Sequence, residues 1–180
     1  MHHKKFSPFP LLQTERLKLR RLTLNDWNAI LGLRDNAEVS KYIERKKLSG
    51  KGEAKEFIDK INNDIEADRS IYWVICLDNN PDLIGTTCLW HFSEDSTVAE
   101  LGYELLPDYQ GWGLMTEVIH VVREFAANHC ALTKLEAYTH RENQNSLKLL
   151  RKFGFQLIPD KVDADNLNNV VYELILSNHR

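Results

Sequence analysis

The sequence predicts an α/β (α+β) fold with one mixed, mostly antiparallel sheet of seven strands, flanked by about four helices. Three apolar, aromatic or β-branched segments between 71 and 106 are separated by turn residues, which is typical of antiparallel strands. From Leu114 the apolar side chains recur at three and four residues, which predicts a helix, and a further β-prone segment covers 134–140. Strand, helix and strand in this order imply a right-handed crossover between two parallel strands.

The N-terminal part predicts one strand followed by helices. Leu17 and Leu19 alternate with charged residues, which is the period of a half-buried strand over 15–22. Residues 1–14 include two prolines and are expected to form a loose arm. The predicted helices are a short one after the helix-start residues 23–26, a second short one within 36–47 and a longer one over 49–67.

Turn residues separate the remaining elements. The run Asp78-Asn79-Asn80-Pro81-Asp82 predicts a hairpin turn between two strands. Pro107 ends the next strand because it has no N–H group, and Gly154 is a typical helix end. The other predicted strands are 71–77, 83–92, 97–106, 134–140, 155–158 and 170–176, and the predicted helices of this part are 114–128 and 146–152.

Length and composition indicate one domain covering 1–180 with a core of its own. The net charge of −3 argues against a nucleic-acid-binding protein, since phosphate binding would require a basic surface. No apolar run approaches the ~20 residues of a membrane span, and the N-terminus lacks the apolar core of a signal peptide. Three widely spaced cysteines indicate reduced thiols. We therefore expect a cytoplasmic protein with no nucleic-acid or membrane partner.

A glycine-flanked loop joins the strand ending near 106 to the helix that starts at Leu114. Gly111 and Gly113 bracket the turn, and the helix start adds backbone N–H groups that have no helical acceptor. Such an end attracts anions, and glycines let a phosphate approach the backbone without a Cβ in the way. The loop therefore predicts a phosphate-binding site.

Two stretches of this chain resemble motifs of the GNAT acetyltransferase superfamily. The first runs from Ala99-Glu100-Leu101-Gly102-Tyr103 to Thr116-Glu117 and includes Gln110-Gly111-Trp112-Gly113. It is similar to the acyl-CoA-binding loop of the form Gln/Arg-x-x-Gly-x-Gly/Ala, except that Asp108 holds the first position. The second runs from Asn143-Gln144-Asn145-Ser146 to Gly154-Phe155 and resembles the Asn-x-x-Ser…Gly-Phe signature of the branch with the Rim-type ribosomal-protein N-acetyltransferases.

The resemblance implies a GNAT fold whose sheet is splayed between its fourth and fifth strands, 98–106 and 134–140. In this family the pantetheine arm of acetyl-CoA fills the gap, and its pyrophosphate rests on the loop 110–115. The aromatic ring of Trp112 has no required role beyond covering the adenine end. The cofactor-binding residues that the resemblance implies are Leu105, Leu106, Gln110, Gly111, Trp112, Gly113, Leu114, Met115, Thr116 and Asn143.

The catalytic assignments are Glu100 and Ser146. By resemblance Glu100 matches a glutamate base, although a structural or acceptor-binding carboxylate fits the same pattern, and Glu104 shares its face of the strand. Many members protonate the leaving thiolate with a tyrosine where this chain has Leu150, which makes Ser146 the candidate for hydrogen-bonding the sulfur. A first-turn helix serine is the structural alternative for Ser146. Two further candidates for the base are Tyr138 and His140.

These features predict an acetyl-CoA-dependent N-acetyltransferase in which an amine attacks the thioester directly. By resemblance to the ribosomal-protein branch, the expected acceptor is the α-amine of a protein. The alternatives are a small-molecule acetyltransferase acting on a polyamine, amino acid or aminoglycoside, and a non-catalytic acetyl-CoA sensor. No His-Glu-x-x-His or clustered Cys/His spacing occurs, so we expect no metal. The sequence leaves the oligomeric state open, including a homodimer.

Overall fold

An eight-stranded sheet organises the fold, which we describe from a computed structural model for residues 5–177. The strands are β1 (Leu12–Gln13), β2 (Leu17–Arg21), β3 (Ile71–Leu77), β4 (Asn80–Trp90), β5 (Val98–Leu105), β6 (Lys134–His140), β7 (Gln156–Leu157) and β8 (Asn169–Ile175). The helices are α1 (Trp27–Asp35), α2 (Ala37–Ser40), α3 (Gly50–Glu66), α4 (Leu114–Asn128) and α5 (Gln144–Lys152).

The strand order is β1-β2-β3-β4-β5-β6-β8-β7, and the β5–β6 pair is parallel whereas the others are antiparallel. The mixed, mostly antiparallel sheet and its crossover are therefore confirmed. The sheet has one strand more than the predicted seven, because Leu12 and Gln13 pair with Leu19 and Lys18. Five α-helices flank it, one for each helical segment located in the sequence.

The N-terminal segment contributes to the core instead of forming a loose arm. Phe6 is only 1% exposed, and its backbone N–H donates to Asp68 Oδ1 over 2.8 Å. The indole Nε1 of Trp73 donates to the carbonyl of Pro10, also over 2.8 Å. The expectation of a loose arm is thus wrong for residues 5–14, because these long-range contacts leave no local sequence pattern. Residues 1–4 lie outside the described residues.

The hairpin between β3 and β4 is tighter than the sequence indicated. Asn80 lies opposite Leu77, so Asp78 and Asn79 alone form the turn. The strand β4 therefore begins three residues earlier than the predicted start at 83, and Pro81 lies within it.

The two faces of the sheet carry different cores. The larger core packs one face against α4 and α5, and Ala99, Leu101 and Leu105 of β5 belong to it. The smaller core packs the other face against α1 and α3 and includes Val74 of β3. Because side chains alternate along a strand, the even-numbered residues of β5 lie on this second face.

The sheet opens between β5 and β6, as the resemblance implied. Pairing among the described residues is limited to Val98 with Lys134, Ala99 with Leu135 and Glu100 with Glu136. Beyond these positions β5 continues to Leu105 beside β4, and β6 continues to His140 beside β8. The two strands therefore form the sides of a gap, and α5 begins next to it because it directly follows β6.

Candidate active site

The loop before α4 has the backbone geometry that its glycines predict. Gly111 and Gly113 have φ values of 78° and 77°, in the left-handed region that favours glycine. Gly113 caps α4, and the N–H of Glu117 donates to its carbonyl over 3.3 Å. The amides of the first helical turn before Glu117 therefore have no acceptor within the helix. A Cβ at Gly111 would meet no atom within 4 Å, so the space beside the loop is open.

Two basic side chains flank this loop. Arg16 Nη2 donates to the carbonyl of Trp112 over 2.9 Å, and Lys152 Nζ lies 3.5 Å from Thr116 Oγ1. The indole of Trp112 itself is 68% exposed. Positive charge at a helix N-terminus strengthens the attraction for a phosphate. Sequence analysis assigned neither Arg16 nor Lys152 to the site, because both come from distant elements.

A carboxylate fastens the loop to the N-terminal strands. Glu117 accepts hydrogen bonds from Thr14 Oγ1 over 2.6 Å and from both the backbone N–H and the Nε of Arg16. Burial alone would raise the pKa of Glu117, but these hydrogen bonds lower it below its usual value. The turn between β1 and β2 thus fixes the start of α4.

Gln110 uses its side chain within the site. Its Nε2 donates to the carbonyl of Leu105 over 2.9 Å, which holds the loop against the end of β5. The next amide, that of Leu106, donates to the carbonyl of Ile84 over 2.8 Å. Leu105 and Leu106, which the resemblance implied as cofactor-binding residues, therefore lie at the edge of the gap, with the carbonyl of Leu105 and the N–H of Leu106 already hydrogen-bonded within the protein.

Ser146 and Asn143 lie on the other side of the gap, at the start of α5. Asn143 caps the helix, because its Oδ1 accepts from the N–H of Ser146 over 3.2 Å. Ser146 is 8% exposed, and its Oγ lies 2.6 Å from the hydroxyl of Tyr103 on β5. Burial raises the pKa of Tyr103 to about 12, and its hydrogen bond with Ser146 offsets only part of the rise. Leu150 is fully buried.

Glu100 lies at the last paired position of β5, on the face toward α1 and α3. Its side chain is 15% exposed, and its Oε2 lies 2.8 Å from His91 Nδ1. Burial raises the pKa of Glu100, and hydrogen bonds from His91 and Trp90 offset only part of the rise. His91 is 64% exposed, so it connects this carboxylate to solvent.

Two further carboxylates on this face have strongly basic partners. Glu104, the predicted rival of Glu100, forms an ion pair with Arg45. Glu136, directly beside Glu100 on β6, accepts from Lys134 over 3.1 Å and from Lys161 over 2.5 Å. Burial alone would raise the pKa of Glu136, but the two lysines lower it below its usual value.

The two reserve candidates for the base have local partners. His140 Nδ1 accepts from the N–H of Glu142 over 3.1 Å, and its ring lies 5.2 Å from that of Tyr42. The hydroxyl of Tyr138 lies 3.4 Å from a carboxylate oxygen of Glu136. Glu136, His91 and Arg45 were absent from the sequence assignments, since only the strand pairing and the chain path bring them to this face.

Among residues 5–177, no helix is both long and apolar enough to cross a bilayer. Across the same part of the chain, no three His, Cys, Asp or Glu side chains are grouped so that they could hold a metal ion.

A gap between parallel strands beside a glycine-capped helix is the arrangement that the resemblance to GNAT acyltransferases implied, and comparison with known proteins agrees. The sequence model of the acetyltransferase (GNAT) domain matches residues 16–156, and the chain belongs to this family. It is 32% identical to the uncharacterized N-acetyltransferase YoaA of Bacillus subtilis, over 82% of this chain and 84% of YoaA. It is therefore an N-acetyltransferase of the GNAT type, as the sequence predicted.

Two further comparisons concern proteins whose acceptor or bound ligand is known. The spermidine N(1)-acetyltransferase of Escherichia coli is 26% identical, over 78% of this chain and 73% of that enzyme. The structure of RimL, a ribosomal L7/L12 alpha-N-protein acetyltransferase in complex with coenzyme A, superposes with a TM-score of 0.80 and 16% identity, covering 93% of this chain and 98% of RimL. At this identity the likeness to RimL concerns the fold.

Proposed function

We propose that this enzyme transfers the acetyl group of acetyl-CoA to the α-amine of a protein, in the cytoplasm, with ribosomal proteins as the first acceptors to test. The observation that carries the proposal is the gap between β5 and β6, which has the glycine loop at one end and the partly buried carboxylate Glu100 at the other. The coenzyme A complex of RimL, whose fold this chain shares, supports the choice of donor.

The residues of the gap fit the chemical groups of acetyl-CoA. The amides between Gly111 and Thr116, with Arg16 and Lys152 nearby, suit the pyrophosphate. The separated edges of β5 and β6 leave room for an extended arm, and the Asn143 side chain lies at the same gap. Bound there, acetyl-CoA would supply a thioester as the electrophile.

Glu100 is the proposed base. An ammonium must lose its proton before it can attack, and a free Glu with a pKa of about 4.3 is a weak base for this step. Burial raises the pKa of Glu100 and so improves it as a proton acceptor. His91, exposed and bonded to Glu100, provides a path for the proton to solvent. Ser146 is the proposed hydrogen-bond donor to the leaving sulfur.

The charges of the acceptor face, which is the face of the sheet with Glu100, Glu104 and Glu136, favour an acceptor with a single amine over a polyamine. Within residues 5–177, Glu104 is paired with Arg45, and Glu136 is bonded to Lys134 and Lys161. These cations already satisfy Glu104 and Glu136, whereas Glu100 has the exposed His91 as its ion-pair partner and no lysine or arginine among the described residues, so Glu100 is the carboxylate we assign to the acceptor. A polyamine acceptor is the second candidate, because a spermidine acetyltransferase is among the relatives.

A competition assay tests the proposal. The enzyme is incubated with isotope-labelled acetyl-CoA and three acceptors: ribosomal-protein N-terminal peptides, the same peptides with a blocked N-terminus and an internal lysine, and spermidine. Mass spectrometry should show the largest kcat/KM for the free N-terminal peptides. A preference for spermidine would establish the second candidate. Coenzyme A binding without transfer to any amine would contradict both candidates and indicate a sensor.

A further inference from the structure

One hydrogen bond spans the gap between β5 and α5. Tyr103 lies three residues beyond Glu100, where β5 has already separated from β6, and Ser146 lies in the first turn of α5. Their hydroxyl oxygens are 2.6 Å apart although the residues are 43 positions apart in the chain. Both side chains lie on the face toward α4 and α5, opposite to the face of Glu100. The proposed base and this pair therefore flank the gap from its two faces.

The direction of this hydrogen bond follows from the chemistry of the two hydroxyls. A phenol is more acidic than an alkyl alcohol and is the better donor, and burial keeps Tyr103 protonated with a pKa of about 12. The Ser146 hydroxyl can rotate, whereas its backbone is fixed by the Asn143 cap. When Ser146 Oγ accepts from Tyr103, the Ser146 proton is free to point away from the phenol.

We propose that Tyr103 is a positioning residue, which holds the Ser146 hydroxyl so that its proton points into the gap as a donor to the sulfur of coenzyme A. The inference deepens the proposed function and rests on it. When the neutral amine nitrogen bonds to the carbonyl carbon, the electron pair of the broken C–S bond passes to sulfur, and the proton that the nitrogen loses in forming the amide passes to solvent. The Ser146 hydroxyl stabilises this thiolate by a hydrogen bond, and no bond of the protein changes. Leu150 offers no hydroxyl for this task.

Coenzyme A alone provides the first test, independent of any acceptor. The thiolate absorbs in the ultraviolet, so a pH titration of the complex gives the pKa of the bound thiol. A donor aimed at sulfur lowers this pKa, and we expect Tyr103→Phe and Ser146→Ala each to raise it by about 1, the equivalent of one modest hydrogen bond. Tyr172→Phe is the matched control, since its hydroxyl bonds to Arg151 over 3.1 Å. This control should leave the thiol pKa unchanged.

Turnover provides the second test. We expect each single variant to lower kcat by about tenfold with little change in the KM for acetyl-CoA, because the interaction strengthens as charge develops on sulfur. The double variant should be no slower than Ser146→Ala, since the two hydroxyls act as one unit. Additive losses, or a thiol pKa that Tyr103→Phe leaves unchanged, would overturn the positioning role and leave the proposed function intact. A parent enzyme that does not bind coenzyme A would overturn both.

Discussion

The proposed donor loop and the proposed acceptor face of this enzyme are built in different ways. The donor loop, residues 110–116, presents backbone groups, and two left-handed glycines two residues apart set its shape. The acceptor face presents the side chains of Glu100, Glu104 and Glu136. The partners of Glu100 and Glu104 lie 9 and 59 residues away in the sequence, and those of Glu136 lie 2 and 25 residues away. A site for a common donor can therefore be encoded locally, whereas the choice of acceptor depends on the whole chain path.

The largest expected effect belongs to the acceptor face. Glu100→Gln keeps the shape of the side chain and removes its basicity, so turnover should fall by about 10²-fold or more. In the parent enzyme the rate should decline as pH falls through the raised pKa of Glu100, because the protonated carboxyl cannot accept a proton. This acidic limb of the pH–rate profile should flatten in the variant. Steady-state kinetics across pH measure both effects.

Glu104→Gln is the matched control for Glu100→Gln. It removes a carboxylate from the same face of β5, but one that is paired with Arg45. Its acidic limb should match that of the parent enzyme. If Glu100→Gln instead raises only the KM for the amine, Glu100 binds the acceptor cation and the base must be sought elsewhere.

The next largest effect concerns the donor loop. Gly111→Val and Gly113→Val place a branched side chain at left-handed positions, where a phosphate would approach. Calorimetric titration should show about tenfold or weaker binding of acetyl-CoA in both variants, with secondary structure retained. Gly50→Val is the control, because Gly50 has a φ of 76° and equally open surroundings at the start of α3. Unchanged affinity in both loop variants would refute the phosphate site.

The smallest expected effect is on stability, and it concerns the hydrogen bonds that connect the start of α4 to the N-terminal strands. Glu117→Gln weakens the hydrogen bonds with Thr14 and Arg16, and the free energy of unfolding should fall by about 1 kcal/mol at neutral pH. Since folding lowers the pKa of Glu117, its contribution is present above its unfolded-state pKa and is lost as pH falls through its folded-state pKa. Parent and variant should therefore converge in stability at acid pH.

Urea denaturation at several pH values provides the measurement for Glu117→Gln. Glu124→Gln on the same helix serves as the reference, because its ion pair with Arg123 lies on the surface. An equal loss of stability in this reference would show that the hydrogen bonds of Glu117 with Thr14 and Arg16 stabilise the fold no more than a surface ion pair does.

Sequence reasoning succeeded where the information is local. The period of α4, the strand β3 over Ile71–Leu77 and the glycine loop could be predicted because propensity and spacing determine them. It failed for the short strand β1, which consists of two paired positions only. It also failed for the packing of Phe6, which depends on a contact about 60 residues away in the sequence. The same distinction applies to the candidate site. The roles of His91, Arg45 and Tyr103 could not be predicted, because only tertiary contacts bring their side chains to the residues they bond.

The short pairing between β5 and β6 has a consequence for how cooperatively the protein unfolds. The three strands β6, β7 and β8 join the rest of the sheet by pairing at three positions and by sharing the larger core. We therefore expect this C-terminal part to open as a unit at a lower free energy than global unfolding. A ligand held by both sides of the gap acts as a bridge between the two parts. At a concentration 100 times its Kd it would stabilise the joined state by about 2.7 kcal/mol. Hydrogen exchange in β6 and β8, which lie outside the glycine loop, would then report on donor binding.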